Sequence, residues 1–165
     1  MLLSAFTVFH VALSLIGIAS GFVVLYGLLQ AKQSAGWTKL FLTTTIATSV
    51  TGFFFPFHGF TPADGVGIVS LIVLALAVLA LYRFGLAGGW RRTYVITSVI
   101  ALYLNFFVLI VQSFQKIPAL NALAPTQSEA PFQITQLVAL LAFIALGIRA
   151  AMKFRAEPLR RAASA

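Results

Sequence analysis

The chain has 165 residues, 61% hydrophobic and 8% charged, with no cysteine. That composition describes one membrane domain with almost no soluble part, and it excludes disulfides, thiolate catalysis, iron–sulfur clusters and thioether-linked haem. The formal net charge of +8 lies in gaps between apolar stretches and in a basic C-terminal tail, so it reads as a set of topology signals and no nucleic-acid partner is expected.

Five apolar stretches follow in order, at about 5–29, 40–57, 66–86, 94–111 and 132–152. Most reach the roughly 18–20 residues that cross a bilayer as helix. The first has no basic residue before Lys32 and is too long for a signal-peptide core, so it reads as a retained span. Within it His10, Ser14, Gly17 and Gly21 fall on one helical face. Gly17 and Gly21 form a small-residue step that lets helices approach closely inside a bundle.

The second stretch carries Thr44, Thr48 and Thr51 on a stripe that His58 extends, beside a stripe of Thr45, Ser49, Gly52 and Pro56. Pro56 removes a backbone donor and should kink or end the helix near Phe55. The third lies between Asp64 and Arg83. The fourth aligns Thr97, Ala101, Asn105, Val108 and Gln112. Asn105 falls near mid-membrane, where an unpaired amide costs several kcal/mol, so it should be enclosed and hydrogen-bonded.

A long loop, 112–131, then places Phe114, Ile117, Leu120 and Leu123 at near-helical spacing, as in a segment lying in the interface over the outer pole. The fifth stretch opens with Gln133 and Gln136 on one face. The tail, 154–165, is basic and suits anionic headgroups.

Lys and Arg alternate between gaps: Lys32 and Lys39, then Arg83, Arg91 and Arg92, then Arg149, Lys153 and the tail. Positive residues stay cytoplasmic, which predicts a bacterial inner-membrane protein with its N-terminus outside and its C-terminus inside. The second and fourth spans also begin alike, Gly36-Trp37-Thr38-Lys39 over Gly89-Trp90-Arg91-Arg92, and a Phe pair recurs at Phe53-Phe54 and Phe106-Phe107. The reading is an all-α integral membrane protein with a single transmembrane bundle over 1–153, built as one helix plus two related hairpins.

Polar side chains gather at the outer end of this arrangement. His10, His58, Thr51, Asn105, Gln112 and Gln136 are the candidate pocket. The histidines titrate near neutrality and ligate metals or haem, but neither shows zinc-motif spacing, and a quinone needs only an aromatic-lined slot with a few bonding groups. No cofactor is identified. No span centre holds Asp, Glu, Lys or Arg for a proton relay, and there is no catalytic triad set or phosphate-binding glycine loop. Composition alone favours a non-catalytic membrane component or accessory subunit whose partners are lipids, another copy of itself or another membrane protein. The contrasting reading is a binder of a small apolar or redox ligand, such as a quinone, haem or metal, in a periplasmic-side pocket.

Taken together, Gly52-Phe-Phe-Phe-Pro-Phe-His-Gly-Phe-Thr-Pro62 and the segment 101–131 resemble an uncharacterised family of small proteobacterial inner-membrane proteins. The resemblance covers nearly the whole chain. It implies a compact helical inner-membrane protein and carries no activity, substrate or site residues with it.

Overall fold

A computed structural model describes residues 2–56 and 61–154, and these are helical with no strand among them. Helix α1 spans Leu2–Leu29, α2 Ala35–Gly52, α3 Pro62–Val78 with a π-helical turn at Leu79–Arg83, α4 Trp90–Lys116, α5 Pro118–Leu123 and α6 Ala130–Lys153. Among the described residues four helices are long and apolar enough to cross a membrane: α1, α3 with its π turn, α4 and α6. Helix α2, rich in threonine, is not one of these four.

The ends of these helices follow from particular residues. α2 stops at Gly52, four positions before Pro56, whose ring would collide with the carbonyl at that position in a continued helix. The helix thus ends three residues before Phe55, where Pro56 was expected to stop it, and 53–56 are not helical. α3 begins four residues earlier than the apolar run because Thr61 and Asp64 form a capping box. Thr61 Oγ1 accepts from the Asp64 amide at 3.3 Å and Asp64 Oδ2 accepts from the Thr61 amide at 2.8 Å. After the π turn the chain reverses through left-handed backbone at Gly85 and Leu86, and Phe84 stacks on Trp90 with ring centroids 3.9 Å apart. α4 extends beyond both edges of its apolar stretch, because Trp90 to Thr93 and Gln112 to Lys116 continue the helix into the polar zones on either side.

The helices run up and down in sequence order, and cross-contacts fix their directions. α1 meets α2 antiparallel, from His10 with Thr51 to Gly21 with Phe41. α2 meets α3 at Ser49 and Ser70, while α4 meets α6 from Val99 with Gly147 to Phe114 with Phe132. At one pole Thr38, Tyr94 and Phe154 come together, the first two through a 3.4 Å hydroxyl contact. Every described Lys and Arg except Lys116 lies toward that basic pole. The core beneath it contains Leu28, Phe41, Leu74, Tyr94 and Leu102, all fully buried.

The two hairpins share their Trp-basic openings but not their lengths. Phe53 and Phe54 sit in the turn after α2, whereas Phe106 and Phe107 lie well inside α4. The aligned Phe pairs thus occupy different structural positions. The loop at 117–129 contains α5 and folds over the ends of α4 and α6. Asn121 donates to the Phe114 carbonyl at 3.2 Å and Gln127 to the Val111 carbonyl at 2.9 Å. Ala124 packs with Ile110 and Phe114.

Candidate functional site at the polar pole

The pole opposite the basic end is organised around α1. On that helix His10 and Ser14 are one turn apart, and each reaches a different neighbour. His10 Nδ1 lies 2.8 Å from Thr51 Oγ1 on α2, and the Phe55 ring meets the imidazole edge-on at 5.1 Å. Ser14 Oγ donates to Asn105 Oδ1 on α4 at 2.8 Å, and Asn105 Nδ2 donates back to the Ser14 carbonyl at 3.4 Å. This pairing gives the mid-helix amide both an acceptor and a donor partner where lipid offers neither. Asn105 is 7% exposed, so the enclosure that its depth demands is present.

Below these residues the glycine step of α1 admits its neighbours. A Cβ at Gly17 would sit 3.0 Å from Thr45 Oγ1 and 3.1 Å from Asn105 Nδ2. The G-x-x-x-G face is therefore spent inside the bundle, against α2 and α4.

Two adjoining cavities open from this network. The inner one, about 130 Å³, lies among α1, α2, α3 and α4 and is floored by Asn105, with Ser49 and Ser70 in its wall. The outer one, about 840 Å³, is bordered by His10, Phe53, Phe55, Gln112, Lys116 and Ile117. His10, Ser14 and Asp64 line both, so the two form one descent from the polar pole toward mid-membrane. The lining is mostly apolar with a few convergent bonding groups, the usual make-up of a small-molecule site.

The sequence-predicted residues divide accordingly. His10 and Gln112 border the outer cavity, Asn105 floors the inner one, and Thr51 stands behind His10 and orients it. Gln136 is elsewhere: its Nε2 donates to the Phe107 carbonyl at 3.3 Å in the α4–α6 seam, and it lines neither cavity. His58 lies outside the described residues, as does the tail beyond Phe154. The loop expected over this pole covers little of the cavity. Of the outer loop only residues up to Ile117 border the cavity, and the remainder caps α4 and α6.

Three more residues contribute, Asp64 and Lys116 from the polar set that the sequence places at this pole and Ser70, which the sequence reading missed. Ser70 bonds Ser49 Oγ at 3.1 Å, Asp64 is held by Thr61, and Lys116 stands at the mouth. Ser70 had a visible signal, being the one polar side chain between Ile68 and Leu81.

Among the described residues no three His, Cys, Asp or Glu side chains gather as a metal site would require. A second hollow, about 490 Å³, runs between α4 and α6 and is walled by Ile96, Val99, Ile144 and Ile148, with Arg92 at its basic end. It offers volume but few groups to orient a ligand. Comparison with protein-family models, with curated proteins and with solved structures returned no match.

Proposed function

We propose that this chain is a five-span inner-membrane protein that binds a small, mostly apolar molecule in the cavity at its outer, polar pole. The observation that carries this reading is the outer cavity of about 840 Å³, where His10, Gln112 and Lys116 converge among aromatic walls. An accessory role, the reading that composition favours, accounts for the close α1–α2–α4 packing. It gives no reason for bonding groups to border a volume large enough for a ligand of some size.

Three further points support the architecture. α2 has 18 residues, about 27 Å of helix against a hydrocarbon core of roughly 30 Å. It also runs beside α1 from Gly21 to His10, so it occupies the same layer as a helix long and apolar enough to span. The gathering of basic residues at one pole supports a cytoplasmic assignment for that pole and an outward N-terminus. The likeness of 52–62 and 101–131 to small proteobacterial inner-membrane proteins agrees with that placement and adds no activity.

The test is extraction. Full-length protein purified in mild detergent is stripped with organic solvent, and the released molecules are identified by mass spectrometry. Gly52 lines both cavities, and among the described residues a Cβ there would meet only His10 Cε1, at 3.8 Å. Gly52→Leu should therefore fill the space without disturbing the core. The expected result is a near-stoichiometric compound on the wild-type chain that the variant lacks. Identical extracts from both proteins would overturn the reading.

A further inference from the structure

His10 is held by one hydrogen bond, and that bond decides which of its nitrogens serves the cavity. Thr51 Oγ1 lies 2.8 Å from His10 Nδ1 and 2.7 Å from the Ala47 carbonyl oxygen. Each contact is short enough to require a proton between its heavy atoms. A threonine hydroxyl has one proton, and a carbonyl has none. The hydroxyl proton therefore points to Ala47, within α2 itself, and the proton in the other contact must come from the imidazole. Neutral His10 is thus the Nδ1–H tautomer, with its lone pair on Nε2.

That lone pair has no hydrogen bond among the described residues, and His10 borders both cavities. The site consequently offers an acceptor at His10. On α4, Gln112 and Lys116 offer donors, and Asp64 on α3 is already engaged by Thr61. A carboxylate or an oxidised quinone presents only acceptors to His10 and leaves Nε2 unpaired. A ligand hydroxyl satisfies it. The apolar border at Phe53, Phe55 and Ile117 asks for a ring and an alkyl portion around that hydroxyl.

Resting on the reading that this cavity binds a ligand, we propose that it takes an apolar ring compound of the phenol or hydroquinone class. Its O–H donates to His10 Nε2, its ring packs against Phe53 and Phe55, and a second ring oxygen faces Gln112 or Lys116. No electron or proton transfer is part of this proposal; it concerns which hydrogen-bonding pattern the locked imidazole selects.

The experiment uses full-length protein in detergent micelles, labelled with nitrogen-15 histidine in a His58→Asn background so that His10 alone reports. Three probes are compared: a decyl-substituted hydroquinone, its oxidised quinone and its dimethyl ether. Before any probe, His10 should show an unprotonated Nε2 and a protonated Nδ1. The Nε2 resonance should move on adding the hydroquinone, which should bind about tenfold more tightly than the other two, as the loss of one hydrogen bond implies. Thr51→Val should abolish that preference, whereas Thr51→Ser, which keeps the hydroxyl, should retain it.

A wild-type His10 with its proton on Nε2, or a quinone or ether that binds as tightly as the hydroquinone, overturns the inference and leaves the cavity reading intact. Failure of all three probes to bind also overturns it. The cavity reading falls as well only if Gly52→Leu and wild-type extracts are the same.

Discussion

At Gly21 the α1 backbone approaches α2 and α4 so closely that an added Cβ would lie 2.5 Å from Leu102 Cδ1 and 2.9 Å from Phe41 Cε2. Both partners are 1% exposed and have nowhere to move. Gly21→Ala should therefore lower stability by about 1–3 kcal/mol, the usual cost of overpacking, as read by denaturant unfolding in detergent. Gly52→Ala, with its nearest neighbour at 3.8 Å, should unfold like the parent. Asn105 makes a complementary prediction. Asn105→Leu removes the amide and its desolvation cost together, and Ser14 can turn its hydroxyl to its own helix. The loss should stay near 1 kcal/mol; one above about 3 kcal/mol would mean that the amide supports something other than Ser14. These single positions also show what the sequence makes legible. The stripe of His10, Ser14, Gly17 and Gly21 faces the bundle, as helical spacing requires. Gln136 satisfies the same rule and still lies in a different seam, because periodicity names a face and not the neighbour that meets it.

Helix α2 is where composition and structure part most clearly. Its threonines make it less apolar than a typical span, yet Thr44, Thr48 and Thr51 each return a hydroxyl proton to a carbonyl one turn back, at 2.8, 2.8 and 2.7 Å. Hydroxyls satisfied within their own helix are compatible with a lipid setting. Thr45 differs, since its Oγ1 is buried without a hydrogen-bond partner among the described residues. Thr45→Val keeps the shape and removes the unpaired group, so it should be neutral or stabilising by up to about 1 kcal/mol. Thermal unfolding of the purified variant checks this, and a clear loss of stability would reveal a partner for that hydroxyl. Element ends were legible where a residue enforces them. Pro56 ends α2. The capped start of α3 at Thr61 and Asp64 and the longer reach of α4 were not, because hydropathy marks the apolar middle of a helix and is silent about polar turns that begin or continue it. The apolar spacing of the 112–131 loop suits a cover over the pole and a cap on exposed helix ends alike. Its side chains do the second, at the α4–α6 end, where Phe132 meets Phe114 at 5.4 Å.

On the scale of the whole molecule, helical membrane architecture was written in composition and charge, since long apolar runs between basic gaps leave few alternatives. The cavity was less legible because its key bonds join residues far apart in the chain. Ser14 and Asn105 are 91 positions apart and His10 and Thr51 are 41 apart, and no local pattern pairs such residues. The number of spans gives the sharpest test of the assembly. Suppose α2 did not cross: starting with the N-terminus outside, α3 would run outward, the Arg83–Arg92 gap would become periplasmic and Lys153 would end outside as well. That places most of the described positive charge on the wrong side. With α2 crossing, Lys32 with Lys39, Arg83 with Arg91 and Arg92, and Lys153 all remain cytoplasmic. Reporter fusions after Lys39, Arg92 and Ala165 should therefore read cytoplasmic, and fusions after Pro62 and Pro125 should read periplasmic. Once Lys39 reads cytoplasmic, Arg92 is the deciding position, because a periplasmic reading there removes α2 from the membrane and with it the layer in which Thr51 holds His10 toward the cavity.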